Sequence, residues 1–226
     1  MNEAEWGIVW LSLKVSAVAV LGITPLAFAC AWALARGRFF GRVLLDAVVH
    51  LPLVLPPVVV GWLLLLAFGT QGWAGRWLGD MGITFMFRWT GAALASAVMG
   101  FPLMVRSMRL SIEAVDQRLE AAARTLGANR LRIFATITVP LAMPGVLAGL
   151  VLGFARSLGE FGATITFVSN IPGETQTLPL AIYAALQMPG GEATVTRLAC
   201  IAVALSLGAL VASELLARRM GGAHVL

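Results

Sequence analysis

Apolar runs at about 8–34, 43–68, 90–105, 141–168 and 198–216 set the pattern of the chain. A transmembrane helix needs roughly 20 mostly apolar residues to cross about 30 Å of hydrocarbon. Four runs meet that length, and the third is continued by the turn at 106–110. Trp6 and Trp10 flank one end of the first run and Trp32 lies near the other, as for rings at a membrane interface. Lys14 can snorkel from that run to the nearer surface. Between the second and third runs, Trp73, Trp77 and Trp89 suggest a segment lying in the interface. Residues 169–197 read as an external cap or re-entrant element containing a short helical piece, 177–187. The whole chain, 1–226, reads as one all-α polytopic membrane domain. It has about five transmembrane helices, or six if 177–187 is membrane-embedded.

Several features interrupt these runs. Pro52, Pro56 and Pro57 in LPLVLPPVVVG remove backbone donors, which predicts a bend or break. That is either a packing kink or a broken helix beside a substrate path. Ser96 and Gly100 form one small pair in the third run. Gly145, Gly149, Gly153 and Ser157 recur every four residues in the fourth. Such a stripe lets another helix approach closely, within the subunit or across a dimer. Arg156 and Glu160 sit four apart in the same run, where charge is costly unless paired or wet. They form either a structural ion pair or the border of a hydrated path, with Arg156 attracting an anion.

The long polar interruption is 120–140, EAAARTLGANRLRIFATITVP. It predicts two short helices broken at Gly127, Ala128 and Asn129. Leu119, Ala122, Ala123 and Leu126 share one side of the first, where Glu120 can pair with Arg124 one turn on. Gly127 suits a helix C-terminus and Asn129 the cap of the next helix. The second helix carries Leu131, Phe134, Ala135 and Ile137, and Pro140 restarts the chain into the next apolar run. On pattern alone this can be a membrane-surface loop with arginines against anionic lipid. DNA binding is disfavoured, because spans on both sides hold the segment against the bilayer.

The chain is 59% hydrophobic and 12% charged, which excludes a soluble domain of this length. The net charge of +5 comes from arginine, with Lys14 the only lysine, so its location matters more than its size. If the spans alternate, Arg36, Arg38, Arg42, Arg106, Arg109, Arg118, Arg124, Arg130, Arg132, Arg218 and Arg219 share one side. Arg76, Arg88 and Arg197 lie on the other, with Glu3, Glu5, Asp80, Glu174 and Glu192. The positive-inside rule makes the arginine-rich side cytoplasmic, with the N-terminus outside and the C-terminus inside. The opening MNEAEW has no basic n-region, so no removable signal peptide is expected. Cys30 and Cys200 sit singly in apolar runs and read as core residues.

No G-x-x-x-x-G-K-[ST] stretch occurs, so the chain has no usual cradle for ATP phosphates. No Ser/His/Asp, Cys/His or metal-ligand constellation occurs either. His50 and His224 lie far apart in sequence, and His50 fits a local hydrogen bond better than a metal. These absences argue against an intramembrane hydrolase. An ATP-independent channel or secondary transporter is the other rival class.

The polar segment resembles the cytoplasmic "EAA" loop of bacterial ATP-binding-cassette (ABC) importer permeases, whose pattern is E-A-A, three residues, G, nine residues, I-x-L-P. Ala122, Ala123, Gly127, Ile137 and Pro140 fall at the family spacing. The family Glu position is Ala121 here, with Glu120 displaced by one, and the family Leu is Val139. The resemblance extends through LPLVLPPVVVG, GFPLMVRSMRLSIEAVD and FARSLGEFGATITFVSNIPGETQTLP to permease subunits of molybdate importers. Related sulfate permeases share the GEFG core but usually diverge after it.

This resemblance implies the type I importer permease fold and a coupling loop at 111–140. Glu120, Ala122, Ala123, Leu126, Gly127, Ile137 and Pro140 would serve that loop. Pro56, Pro57, Arg156 and Glu160 become candidates for the path or gate, and Gly145, Gly149 and Gly153 for helix packing. The implied partners are a second copy of the chain, a pair of cytoplasmic ATPase subunits, an external anion-binding protein and the lipid bilayer, with no nucleic acid. No cofactor is expected in this chain, since ATP and magnesium belong to the ATPase. The implied location is the bacterial inner membrane. The implied substrate is a tetrahedral oxyanion, molybdate or tungstate, with sulfate the alternative.

Overall fold

A computed structural model describes residues 2–221, with side chains throughout except at 213, 214 and 216–221. His224 lies outside the described residues, and Arg218 and Arg219 are described only as helical backbone. The chain opens with α1 (Glu3–Arg36), and the proline-rich run forms α2 (Arg42–Val54) and α3 (Pro57–Phe68). The Trp-rich segment carries α4 (Trp73–Asp80), and α5 (Trp89–Ala114) follows. The polar segment holds α6 (Gln117–Thr125) and α7 (Arg130–Ile133). A π-helical turn (Phe134–Thr138) joins α7 to α8 (Val139–Leu158). Next come α9 (Gly162–Val168), α10 (Leu178–Leu186) and α11 (Glu192–Gly221).

Among the described residues, four helices are long and apolar enough to cross a membrane: α1, α5, the α7–α8 unit and α11. The count becomes five if α2 and α3 together make one bent span. With nine residues, α10 is about 14 Å long and too short to cross. It packs on α1 and α11. Leu178 N–H donates to Ser12 Oγ at 2.8 Å.

The central helix is α5, clasped by α1 and α8. Its small residues Gly91, Ala92, Ala95, Ser96 and Gly100 are buried and keep the neighbouring backbones close. Two apolar clusters run along it. One joins Val15, Leu64, Ala92, Phe167 and Val168 from α1, α3, α5 and α9. The other joins Ala27, Leu34, Met104, Met108, Ile112 and Ala142 from α1, α5 and α8.

The prolines do not act alike. Pro25, Pro52, Pro102 and Pro144 remain inside helices. Thus Pro52, expected to bend or break the second run, does not end α2. The tandem Pro56-Pro57 does break the run, and α3 leaves α2 at 116°. A residue before proline is driven to extended backbone. Leu55 and Pro56, each followed by proline, sit at ψ 143° and ψ 135°.

Two sequence boundaries are corrected. Pro140 does not restart the chain, because α7 runs through the π-helical turn into α8 and Pro140 lies within that continuous helical stretch. The fourth run is not one helix over 141–168. It stops at Leu158 and resumes at Gly162 as α9. Cys200 is exposed rather than a core residue.

Candidate functional site

The polar segment is built from its caps. Asp116 opens α6 by accepting a hydrogen bond from Arg118 N–H at 2.8 Å. Gly127 closes it at φ +82°, in the left-handed region that disfavours side-chain-bearing residues. Gly127 N–H donates to Arg124 C=O, and Ala128 N–H to Ala123 C=O, each at 3.0 Å. Asn129 then caps α7, accepting from Arg132 N–H at 2.8 Å.

The segment has two faces. Leu126 is 88% exposed and Leu131 80%, and Leu119, Ala121 and Ala122 are also exposed. Exposed Arg118, Arg124, Arg130 and Arg132 frame them. Ala123 and Ile137 are half-buried and Pro140 is exposed. The inner face is Ile133, Phe134, Thr138 and Glu120. Phe134 meets Trp32 edge-on at 4.8 Å between ring centroids, and Phe28 at 6.1 Å.

Glu120 does not pair with Arg124. Its Oε1 accepts from Arg36 Nη2 at 3.1 Å and from Thr138 Oγ1 at 3.0 Å. Arg36, 84 positions away, and Thr138, at the end of the π-helical turn, are functional candidates the sequence did not single out. Thr138 falls at the unspecified position of I-x-L-P, so the pattern carried no sign of it.

A second constellation surrounds the two helix breaks. Pro57 and Gly162 meet where α3 and α9 begin, and a Cβ on Gly162 would lie 2.8 Å from Pro57 Cβ. A Cβ on Gly61 would lie 2.6 Å from Ala163 C=O. Only glycine at these positions lets α3 and α9 lie so close. Pro56 and Pro57 thus flank one break and Glu160 occupies the other. Glu160 Oε1 accepts from Ala163 N–H at 2.8 Å and so caps α9. Its Oε2 lies 2.6 Å from Arg156 Nη1 but off the line of an N–H bond, an ion pair rather than an aligned hydrogen bond. The Glu160 side chain is 1% exposed and that of Arg156 26%, so the pair has a buried anionic end and a wetter cationic one. Among the described residues, the buried Ser157 Oγ beside them has no hydrogen-bond partner.

The glycine stripe of α8 faces α5 of the same chain. A Cβ on Gly149 would lie 3.2 Å from Met104 C=O, and one on Gly153 2.7 Å from Met104 Sδ. One on Gly145 would overlap the Ser111 side chain. Ser107 Oγ donates to Gly145 C=O at 2.9 Å, and Ser111 Oγ to Ala142 C=O at 3.2 Å.

Charges divide between two ends of the bundle. Arg36 joins the end of α1 to the polar segment. Elsewhere, Glu5 near the start of α1 accepts from Arg197 near the start of α11, at 2.8 Å from Nη2. The Lys14 ammonium sits 3.7 Å from the centroid of the Trp89 ring, a cation–π contact. His50 Nδ1 donates to Asp46 C=O at 2.9 Å. Among the described residues, no group of three or more His, Cys, Asp or Glu could hold a metal ion.

Known proteins are similar to this chain in sequence and in fold. Residues 23–222 match the family described as "Binding-protein-dependent transport system inner membrane component". The chain is 60% identical over 219 residues to the molybdenum transport system permease protein ModB of Escherichia coli (strain K12), covering 96% of each chain. It is 59% identical to ModB of Haemophilus influenzae, over 93% of this chain and 92% of that one. The sulfate transport system permease protein CysT of Escherichia coli (strain K12) is 39% identical, over 84% of this chain and 69% of that one. Among solved structures, a bacterial ABC transporter involved in the import of alginate superposes with TM-score 0.77 at 19% identity, over 97% of this chain and 80% of that one. The MetNI methionine ABC transporter superposes with TM-score 0.72 at 15% identity, over 97% and 99%. The fold is that of type I ABC importer permeases. By family match and by identity along nearly its whole length, the chain belongs to the binding-protein-dependent transport system inner membrane components.

Proposed function

We propose that this chain is the membrane permease subunit of an ATP-driven molybdate importer. The observation that carries the reading is the contrast between 60% identity to a molybdenum permease over 96% of the chain and 39% identity to a sulfate permease over 84%. Two copies enclose the anion path. A pair of cytoplasmic ATPase subunits hydrolyses ATP with magnesium, and an external binding protein delivers the anion. Hydrolysis is not a task of any residue here.

Residues 111–140 act as the coupling loop within a single domain, 1–226. The exposed Leu119, Ala122, Leu126 and Leu131 are the apolar face of a helix-in-groove contact with the ATPase. Gly127 and the cap at Asn129 set the turn, and Ile137 and Pro140 carry the chain into α8. The arginine-rich end is cytoplasmic, leaving the N-terminus outside and the C-terminus inside; the positive-inside rule supports this.

The paired breaks at Pro56–Pro57 and at Glu160 border the path. Broken helices are suited to it, because freed backbone groups and helix starts can meet a passing anion without a fixed cation. Arg156, charge-balanced by Glu160, attracts a dianion without holding it. Weak holding favours release, so selectivity resides in the binding protein.

The reading is tested by uptake into liposomes that contain the permease–ATPase complex, with loaded binding protein added. Uptake of molybdate and tungstate without sulfate is the expected result. Uptake of sulfate would keep the importer and change its substrate. Uptake without any ATPase would replace the importer by a channel or secondary transporter.

A further inference from the structure

Glu120 faces inward although it lies in the most polar stretch of the chain. Its side chain is 13% exposed, while neighbouring Ala121 and Leu119 are exposed. One oxygen, Oε1, gathers two donors. Arg36 Nη2 comes from the last turn of α1, and Thr138 Oγ1 from the end of the π-helical turn. The same Arg36 Nη2 also donates to Val115 C=O at 3.2 Å, at the corner where α5 gives way to α6. The guanidinium thus touches both sides of that corner. Thr138 is 1% exposed, and Phe134, one turn earlier, is held against Trp32 of α1.

We propose that Arg36, Glu120 and Thr138 form an internal latch that makes the coupling segment one rigid body with the end of α1 and the start of α8. Glu120 is then a positioning residue inside the permease, not a docking residue on the ATPase. A push on Leu126 and Leu131 reaches the transmembrane core through the latch. Without it, α6 could rock about Val115 while α1 and α8 stay still. Two facts favour transmission over simple stability. The latch ties α6 to elements that the apolar clusters already join to one another but not to it, since α6 contributes no buried residue of its own. It also sits at a π-helical turn, a distortion that often marks a functional position.

This inference rests on the coupling-loop reading above, and its test separates the two. The latch is probed by Arg36→Gln, Glu120→Gln, Thr138→Val and the Arg36→Gln/Glu120→Gln double variant. Each is purified with the ATPase, checked for retained association and thermal stability, and assayed for anions taken up per ATP hydrolysed. Each single change is expected to keep the ATPase bound and lower that ratio about fivefold, and the double variant to be no worse than either single, the signature of one shared contact. Arg36→Lys should recover part of the ratio by keeping the charge. A ratio equal to wild type in Arg36→Gln and Glu120→Gln would overturn the latch. So would loss of ATPase association in Glu120→Gln alone, which would make Glu120 a docking residue. Leu126→Glu is the control for the docking face: retained association there would defeat the coupling-loop reading itself, whatever the latch variants do.

Discussion

At the scale of single residues, backbone conformation and close approach decide what each position tolerates. Gly127 has open space around its missing Cβ but stands at φ +82°. Replacement by valine is expected to cost about 1–2 kcal/mol from left-handed backbone strain, concentrated in the α6–α7 turn. Uptake should fall while the amount of protein inserted in the membrane stays unchanged; undiminished uptake would remove Gly127 from the coupling turn. Gly149 is the opposite case, with ordinary backbone but Met104 C=O only 3.2 Å from its Cβ position. Gly149→Leu should wedge α8 from α5 and lower the unfolding temperature in detergent, at an overpacking cost of about 1–3 kcal/mol. An unchanged unfolding temperature would mean that the helices part there without penalty. The cap at Asn129 and the turn at Gly127 were legible in the sequence because both are local chemistry. The partner of Glu120 was not, because Arg36 lies 84 residues away and an arginine one turn along looked equally suitable.

At the scale of elements, helix breaks have different causes and different visibility. The 116° turn between α2 and α3 was announced by consecutive prolines. The break between α8 and α9 carries no proline, and the apolar run continues through it, so the composition gave no boundary. A local sign existed, since Glu160 stands three residues before Ala163, whose N–H it accepts, as an acidic helix cap does. It was masked because Arg156 four residues earlier made Glu160 look like half of an intrahelical pair. It is in fact both. Glu160→Gln keeps an acceptor for Ala163 and loses the charge facing Arg156. It should leave the protein folded and reduce uptake per folded molecule, as judged by transport normalised to monodisperse protein. Loss of folded protein with normal uptake by the remainder would show that the pair is structural only. Pro56→Ala/Pro57→Ala, which lets the second run straighten, is expected to abolish uptake with insertion retained. Normal uptake in that variant would take the break out of the path.

At the scale of the whole molecule, the apolar pattern set the fold class and the approximate number of spans. The way the broken helices meet had to come from tertiary contacts, because Pro57 and Gly162 are more than a hundred residues apart. In the proposed mechanism, α1 and α8 join the exposed apolar coupling face at one end of the bundle to the paired breaks within it. Its orientation is open to a direct check. In a cysteine-free background, a cysteine at Asn2 should react with an impermeant reagent in intact cells, and one at Arg38 only after the membrane is opened; the reverse pattern would invert the topology. The central claim is coupled oxyanion import, and the most direct measurement is ATP hydrolysis with anion uptake by the permease–ATPase complex in liposomes. The binding protein should be loaded in turn with molybdate, tungstate and sulfate. Hydrolysis stimulated together with uptake for molybdate and tungstate, but not for sulfate, is the expected result. Failure of the ATPase to associate, or uptake indifferent to ATP, would contradict the account.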